Sequence, residues 1–458
     1  MIKSLSLVLA ATLALPAGGV AAQPSPVPSP TPGHRALAAG YKALTTCSAV
    51  HTAREAGSTR SLASVEANEL AGIYPELQPV IAALPVEMTN DVVSVAWDEA
   101  APPRIATYAP GRGCVIQPMG QAPGQAQARP PLARRTSAPD LIVAAPRGDA
   151  AALSDAVDRA FAPDFGPGAN TTGVVVLQGG KIVAERYAAG FGPNVPQRTW
   201  SVAKSLAGTL IGAAVQRGEV DVKAPAAIAN WRGEGDPRGA ITLEALMRMA
   251  SGLTSDTAGN RTDALYFGGV AVDEQAPGWP LLAPVGTTYR YANNDTLLAV
   301  MAIAPTFRTH PPAELFDKLG MIHTFAETDW RGNYILSSQV WTTARDLARF
   351  GQLYIQDGIW DGERLLPEGW RTFVSTPSGP QPPTGAFGYG AAFWVMNRSE
   401  GVPDDAFAAF GNRGQYVVIV PSRDVVIVRR GEDPAGKGFD VAAFTRGVLA
   451  ALAETPAS

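Results

Sequence analysis

A chain of 458 residues, 46% hydrophobic and 17% charged, has the composition of a globular protein and the length of one large domain with a smaller companion. Its formal net charge of −4 gives no electrostatic reason to expect nucleic acid or an anionic membrane as partner. A small-molecule or peptide-like substrate is expected instead.

The first 22 residues predict a secretory signal peptide: Lys3 gives the positive start, Leu5 to Leu15 the apolar stretch, and Val20-Ala21-Ala22 the small-residue cleavage site. The apolar stretch is too short to span a bilayer, so a retained anchor is the lesser alternative. No cysteine follows the cleavage site, which argues against a lipoprotein. A periplasmic or secreted enzyme with no stable membrane anchor after processing is expected. Residues 23–33 are rich in proline and serine and predict an extended linker.

Residues 34–120 predict a small α+β domain, with a helix over Arg35–Thr46 and strands over Val92–Trp97, Arg104–Tyr108 and Cys114–Gln117. The two cysteines, Cys47 and Cys114, both fall here. In an oxidising compartment they most simply form a disulfide, the alternative being two buried free thiols. With only His51 nearby they make no convincing metal site, and no metal or cofactor is expected. Residues 121–140 predict a polar linker or surface strap whose Arg134-Arg135 pair is solvated.

Residues 141–458 read as the main domain. A helix is predicted over Ala150–Phe161, followed by a hairpin of Gly173–Leu177 and Lys181–Tyr187 around Gly179-Gly180. A second hairpin joins Tyr416–Val420 to Val425–Arg429, and an amphipathic helix follows over about Asp440–Leu452. Helices and loops fill the middle, so the layout predicts a sheet assembled from both ends of the domain around a helical insertion.

Three motifs carry chemistry. Trp200-Ser201-Val202-Ala203-Lys204 opens a helix, and residues three apart share a helix face, so the Lys204 amine can reach the Ser201 hydroxyl. A serine needs a base to become a nucleophile, and a lysine becomes one when burial lowers its pKa. Ser-x-x-Lys alone is weak evidence, since a serine cap beside an exposed lysine looks the same. Yet among all the lysines only Lys204 has a serine three positions earlier.

Tyr291-Ala292-Asn293 sits between a turn and an apolar helix; the phenol can shuttle a proton and the Asn293 amide can orient Lys204 or the substrate. Gly411-Asn412-Arg413-Gly414-Gln415 leads into a strand, where glycine permits close approach of substrate. The backbone N–H groups of Ser201 and Gln415 are the expected oxyanion hole, with Asn412, Gly414, Tyr389 and Trp394 as substrate contacts.

Ser-x-x-Lys, Tyr-x-Asn and a glycine-bearing strand, in this order, resemble class C β-lactamases and their relatives in the penicillin-recognising superfamily. ITLEALMRMASGL (Ile241–Leu253), LFDKLGM (Leu315–Met321), TTARDLARFGQLYIQDGIWDGERLL (Thr342–Leu366) and QYVVIVPSRDVVIV (Gln415–Val428) add to the likeness, which is nearest to aminohexanoate-oligomer hydrolases and esterases of this fold. The resemblance implies an α/β (α+β) fold in which an antiparallel sheet flanked by helices meets a helical lobe, with Ser201 forming an acyl-enzyme and Lys204 and Tyr291 sharing the base role.

Relatives acting on β-lactams or peptidoglycan stems place lysine or histidine where Asn412 stands, and Arg413 would point to the opposite strand face. Hydrolysis of an ester or linear amide is therefore expected ahead of β-lactamase or DD-peptidase activity. A silent envelope-fragment binding protein is the alternative from another class. No Gly-x-Ser-x-Gly elbow supports a Ser-His-Asp triad, and His323 reads as structural. The oligomeric state is open.

Overall fold

The computed structural model describes residues 30–121, 130–255 and 262–453. The expected signal peptide lies outside these residues, as do positions 23–29 and 122–129 of the two expected linkers.

A seven-stranded antiparallel sheet forms the centre, and the chain enters it from both ends. Strands Thr171–Gln178 and Lys181–Tyr187 turn on Gly179 and Gly180, whose φ of 60° and 71° is what a tight hairpin demands. Thr171–Gln178 then pairs with Val425–Gly431, which is hairpinned to Gln415–Val420. Phe407–Gly411, Trp394–Val395 and Gly388–Tyr389 complete the sheet.

Alternation along the strands feeds two cores. Val175, Leu177, Val417, Ile419, Val426 and Val428 pack in one cluster with Leu206, Leu210 and Leu347 of helices Val202–Gln216 and Ala344–Ile355. Val174, Val176, Val418, Val420 and Ile427 pack in the other with Leu153, Phe444 and Val448 of helices Ala150–Arg159 and Val441–Ala451. Both faces of Thr171–Gln178 are thus covered, which is why it reads as a continuous apolar run. On the Val202–Gln216 side, helices Leu243–Met247, Asn293–Ile303 and Pro312–Lys318 build the helical lobe.

The N-terminal unit is a helix laid on a four-stranded antiparallel sheet, Val86–Met88, Val92–Val95, Arg104–Ala109 and Gly113–Ile116. The helix runs Pro32–Glu55, starting inside the expected linker and ending well past Thr46. Every residue from Ala38 to Ala49 is buried, because the sheet covers one side and the main domain the other. A helix buried all round, with Lys42, Thr45, Thr46 and Ser48 inside as well as its apolar residues, shows no apolar stripe, so periodicity understates its length. Cys47 and Cys114 are disulfide-bonded, tying this helix to the last strand.

One correction concerns the strap. Arg134, expected in solvent, pairs with Asp317 at 2.7 Å and donates to the Thr324 carbonyl, pinning residues 130–140 to the main domain; Arg135 donates to the Asp317 carbonyl. At the seam Glu327 of the main domain accepts from Ser48 Oγ at 2.6 Å and from the Cys114 N–H at 2.8 Å. Burial pushes the Glu327 carboxyl up to about 8.

That carboxyl keeps its proton in the folded chain up to about 8, whereas its ordinary value is 4.5, so stability drains away as pH climbs through this interval. Glu327→Gln keeps an acceptor and removes the titration. The loss of melting temperature between about pH 5 and about pH 8 is expected to be smaller than in the wild type; an identical loss contradicts the assignment. Removing the disulfide by Cys47→Ala with Cys114→Ala is expected to cost about 2–4 kcal/mol in urea unfolding, and an unchanged midpoint contradicts a stapling role.

Candidate active site

Ser201 stands at the turn from strand Gln197–Arg198 into helix Val202–Gln216. Trp200, immediately before it, has a φ of 50°, a conformation that costs a bulky residue about 1–3 kcal/mol. It is held there by the Arg198 guanidinium, 3.7 Å from the indole centroid, while Arg198 is fixed in turn by Ser338 Oγ at 2.7 Å. The turn aims Ser201 into a cavity of about 350 Å³.

Lys204, one helical turn on, is 1% exposed. Its Nζ donates to Ser201 Oγ at 3.0 Å, to Asn293 Oδ1 at 2.6 Å and to the Ser337 carbonyl at 2.9 Å. Two of these acceptors favour the ammonium form, but burial opposes it more strongly and pulls the amine down to about 7. Tyr291 is the third member. Its ring centroid lies 5.2 Å from Lys204 Nζ, and it lines the cavity together with Ser201. Burial raises the phenol above its ordinary value of 10, so it stays protonated where the lysine has become neutral.

The other expected residues divide. Asn293 orients Lys204, and Trp394 and Asn412 line the cavity. Tyr389 does not line it; buried behind, it meets Tyr291 edge-on at 5.9 Å and Trp394 at 5.1 Å, holding both in place. Gly414 turns away from the cavity, against the buried Arg429–Asp433 pair, where a Cβ would fall 1.7 Å from Arg429 Nη1. Gln415 is fully buried, its side-chain amide donating to the Gly431 carbonyl and accepting from Arg430 at 2.6 Å. Phe410, Gly411 and Asn412 form the cavity's strand wall instead. A Cβ on Gly411 would meet the Thr199 carbonyl at 2.3 Å and the Ser201 nitrogen at 3.2 Å, so only glycine lets the strand lie this close to Ser201. Arg413 points to the opposite side, paired with Glu432 at 2.8 Å.

Sequence reasoning missed Ser337 and Ser338, although they lie shortly before the family-like segment beginning at Thr342, and Tyr266 and Tyr74, for which no local signal exists. Tyr266 meets Ser337 Oγ at 2.6 Å and lines the cavity. Among the described residues, no group of three or more His, Cys, Asp or Glu could hold a metal ion.

The Beta-lactamase family matches residues 157–445, well over half of the chain. The chain belongs to that family. It is 25% identical over 292 residues to the 6-aminohexanoate-dimer hydrolase of Paenarthrobacter ureafaciens, covering 57% of this chain and 72% of that one. Its fold is similar to a Bacillus anthracis protein assigned as a 6-aminohexanoate-dimer hydrolase (22% identity, TM-score 0.55, 69% of this chain and 88% of that chain). It is also similar to a penicillin-binding protein homologue from Caulobacter crescentus (17%, TM-score 0.52, 68% and 100%).

If the neutral Lys204 amine activates Ser201, reaction with a fluorophosphonate ester speeds up as pH rises through about 7, the point where the ammonium loses its proton. Lys204→Arg, which cannot deprotonate, is expected to lower that rate by about 10²-fold or more. A flat profile, or an unimpaired arginine variant, contradicts the role.

Proposed function

We propose that this family member is an exported serine hydrolase that cleaves an uncharged ester or linear amide through an acyl-enzyme on Ser201. The observation that carries the reading is the 3.0 Å contact between Ser201 Oγ and a buried lysine amine lowered to about 7.

As the Ser201 oxygen bonds to the carbonyl carbon, its proton passes to Lys204 Nζ. The developing oxyanion is met by the Ser201 N–H and by a backbone amide of the Phe410–Asn412 wall. Tyr291, still protonated, donates its proton to the departing alkoxide or amine as the carbon–heteroatom bond breaks and recovers one from the Lys204 ammonium. Water then attacks the acyl-enzyme, giving its proton to Lys204, which returns it to the Ser201 oxygen as the acyl bond breaks and the acid leaves. Asn293 and the Ser337 carbonyl keep Lys204 aimed throughout.

The cavity's chemistry supports the substrate class. Six of its eleven lining residues are aromatic, namely Tyr74, Trp200, Tyr266, Tyr291, Trp394 and Phe410, and none of the described lining residues is charged. A β-lactam or stem peptide brings a carboxylate that finds Asn412 rather than a cation, and Arg413 is committed to Glu432. The relative named for aminohexanoate dimer makes linear amides a reasonable second panel after esters. The Cys47–Cys114 disulfide supports export to an oxidising compartment, and no helix among the described residues is long and apolar enough to cross a membrane.

Turnover of p-nitrophenyl esters is expected, with kcat/KM for a penicillin at least about 10²-fold lower. Ser201→Ala is expected to abolish ester turnover while the chain keeps its melting temperature. Equal turnover in mutant and wild type would remove Ser201 from the chemistry, and preferential penicillin hydrolysis would reverse the substrate assignment.

A further inference from the structure

The cavity beside Ser201 is not closed by the Beta-lactamase domain alone. Tyr74, from the N-terminal unit and well before the family match begins at residue 157, is one of its lining residues. We propose that the N-terminal unit supplies a wall of the substrate site through Tyr74, and that this ring sets the bulk of the group admitted next to the nucleophile. The inference rests on the serine-hydrolase reading above and adds to it a specificity-determining residue.

Three sets of contacts fix that wall. The Tyr74 ring meets Trp200, the residue before the nucleophile, edge-on at 6.3 Å, and on its other sides meets Tyr41 at 6.3 Å and Phe267 at 6.4 Å. It is therefore wedged between the long N-terminal helix and the turn that presents Ser201. Two residues earlier the chain is bonded to the main domain: the Gly72 carbonyl accepts from the Ala435 N–H at 2.7 Å, and a Cβ on Gly72 would lie 2.7 Å from that of Pro434.

The third set comes from the motif itself. Asn412 lines the cavity, while its neighbour Arg413 turns outward and donates to the Asn68 and Ala71 carbonyls, each at 2.8 Å. Arg413 is 6% exposed and committed through Nε and Nη2 to Glu432 and these carbonyls, so its charge serves the docking of the loop that carries Tyr74. One hairpin thus builds the strand wall with one residue and anchors the opposite wall with the next. An apolar pocket discriminates by about tenfold or more per misplaced methylene, so a ring at this position suffices to select among neutral substrates of different bulk.

The test compares wild type, Tyr74→Ala and Tyr74→Trp on two series: p-nitrophenyl esters of lengthening acyl chain, and acetate esters of increasingly bulky alcohols. In at least one series the kcat/KM ratio of bulky to small substrate is expected to rise about fivefold or more in the alanine variant and to fall in the tryptophan variant. Tyr74→Leu, which keeps apolar bulk at the docking face, replaces the alanine variant if that one loses its cooperative melting transition. Ratios within about twofold of wild type in both series, for folded variants, overturn the wall. Fluorophosphonate labelling of wild-type Ser201 is run alongside. Labelling with unchanged ratios rejects only this inference, whereas absent labelling rejects the serine-hydrolase reading and the inference with it.

Discussion

The proposed chemistry depends on keeping an amine out of water. Lys204 loses its ordinary preference for charge because helix Val202–Gln216, the Asn293 side chain and the Ser337 carbonyl close around it, and desolvation outweighs the acceptors they offer. Exposed to solvent, the same amine would hold its proton at neutral pH and could not take one from Ser201. Much of the architecture can be understood as the means of burying that one group beside an open cavity.

The sheet, the lobe and the N-terminal unit each contribute to that end. The strand carrying Gly411 lies against the Ser201 turn because glycine allows it. The lobe brings Tyr291 and Asn293 to the start of helix Asn293–Ile303, where the chain can face the cleft without interrupting the helix. Trp200 pays for the sharp turn with a left-handed backbone and is clamped by Arg198 on one side and Tyr74 on the other. The N-terminal helix, buried from Ala38 to Ala49, is accordingly packed as part of the core rather than tethered as a separate module.

What was legible in the sequence follows from locality. Ser201 and Lys204 are one helical turn apart, and the hairpins around Gly179-Gly180 and Pro421–Asp424 announce themselves by turn residues between β-branched runs, so these emerge from short windows. Tyr74, Tyr266 and Ser337 enter the site by docking of segments distant in the chain, and nothing in their own neighbourhoods marks them. The same reason explains Arg134, whose partner Asp317 lies far along the chain, and the full length of the Pro32–Glu55 helix, whose pattern is flattened by burial on all sides. Tyr389 and the Gln415 side chain lie behind the cavity lining, because which residues reach the cavity depends on how the strands abut the Ser201 turn, a tertiary relation that no short window carries.

The most direct measurement of the central claim is an acid-quenched reaction with p-nitrophenyl acetate followed by peptide mass spectrometry. A single acetyl group on the peptide bearing Ser201, absent from Ser201→Ala and strongly diminished in Lys204→Arg, is the expected result. Acetylation confined to another residue, or rapid ester turnover with no acyl-enzyme under any quench condition, would contradict the mechanism.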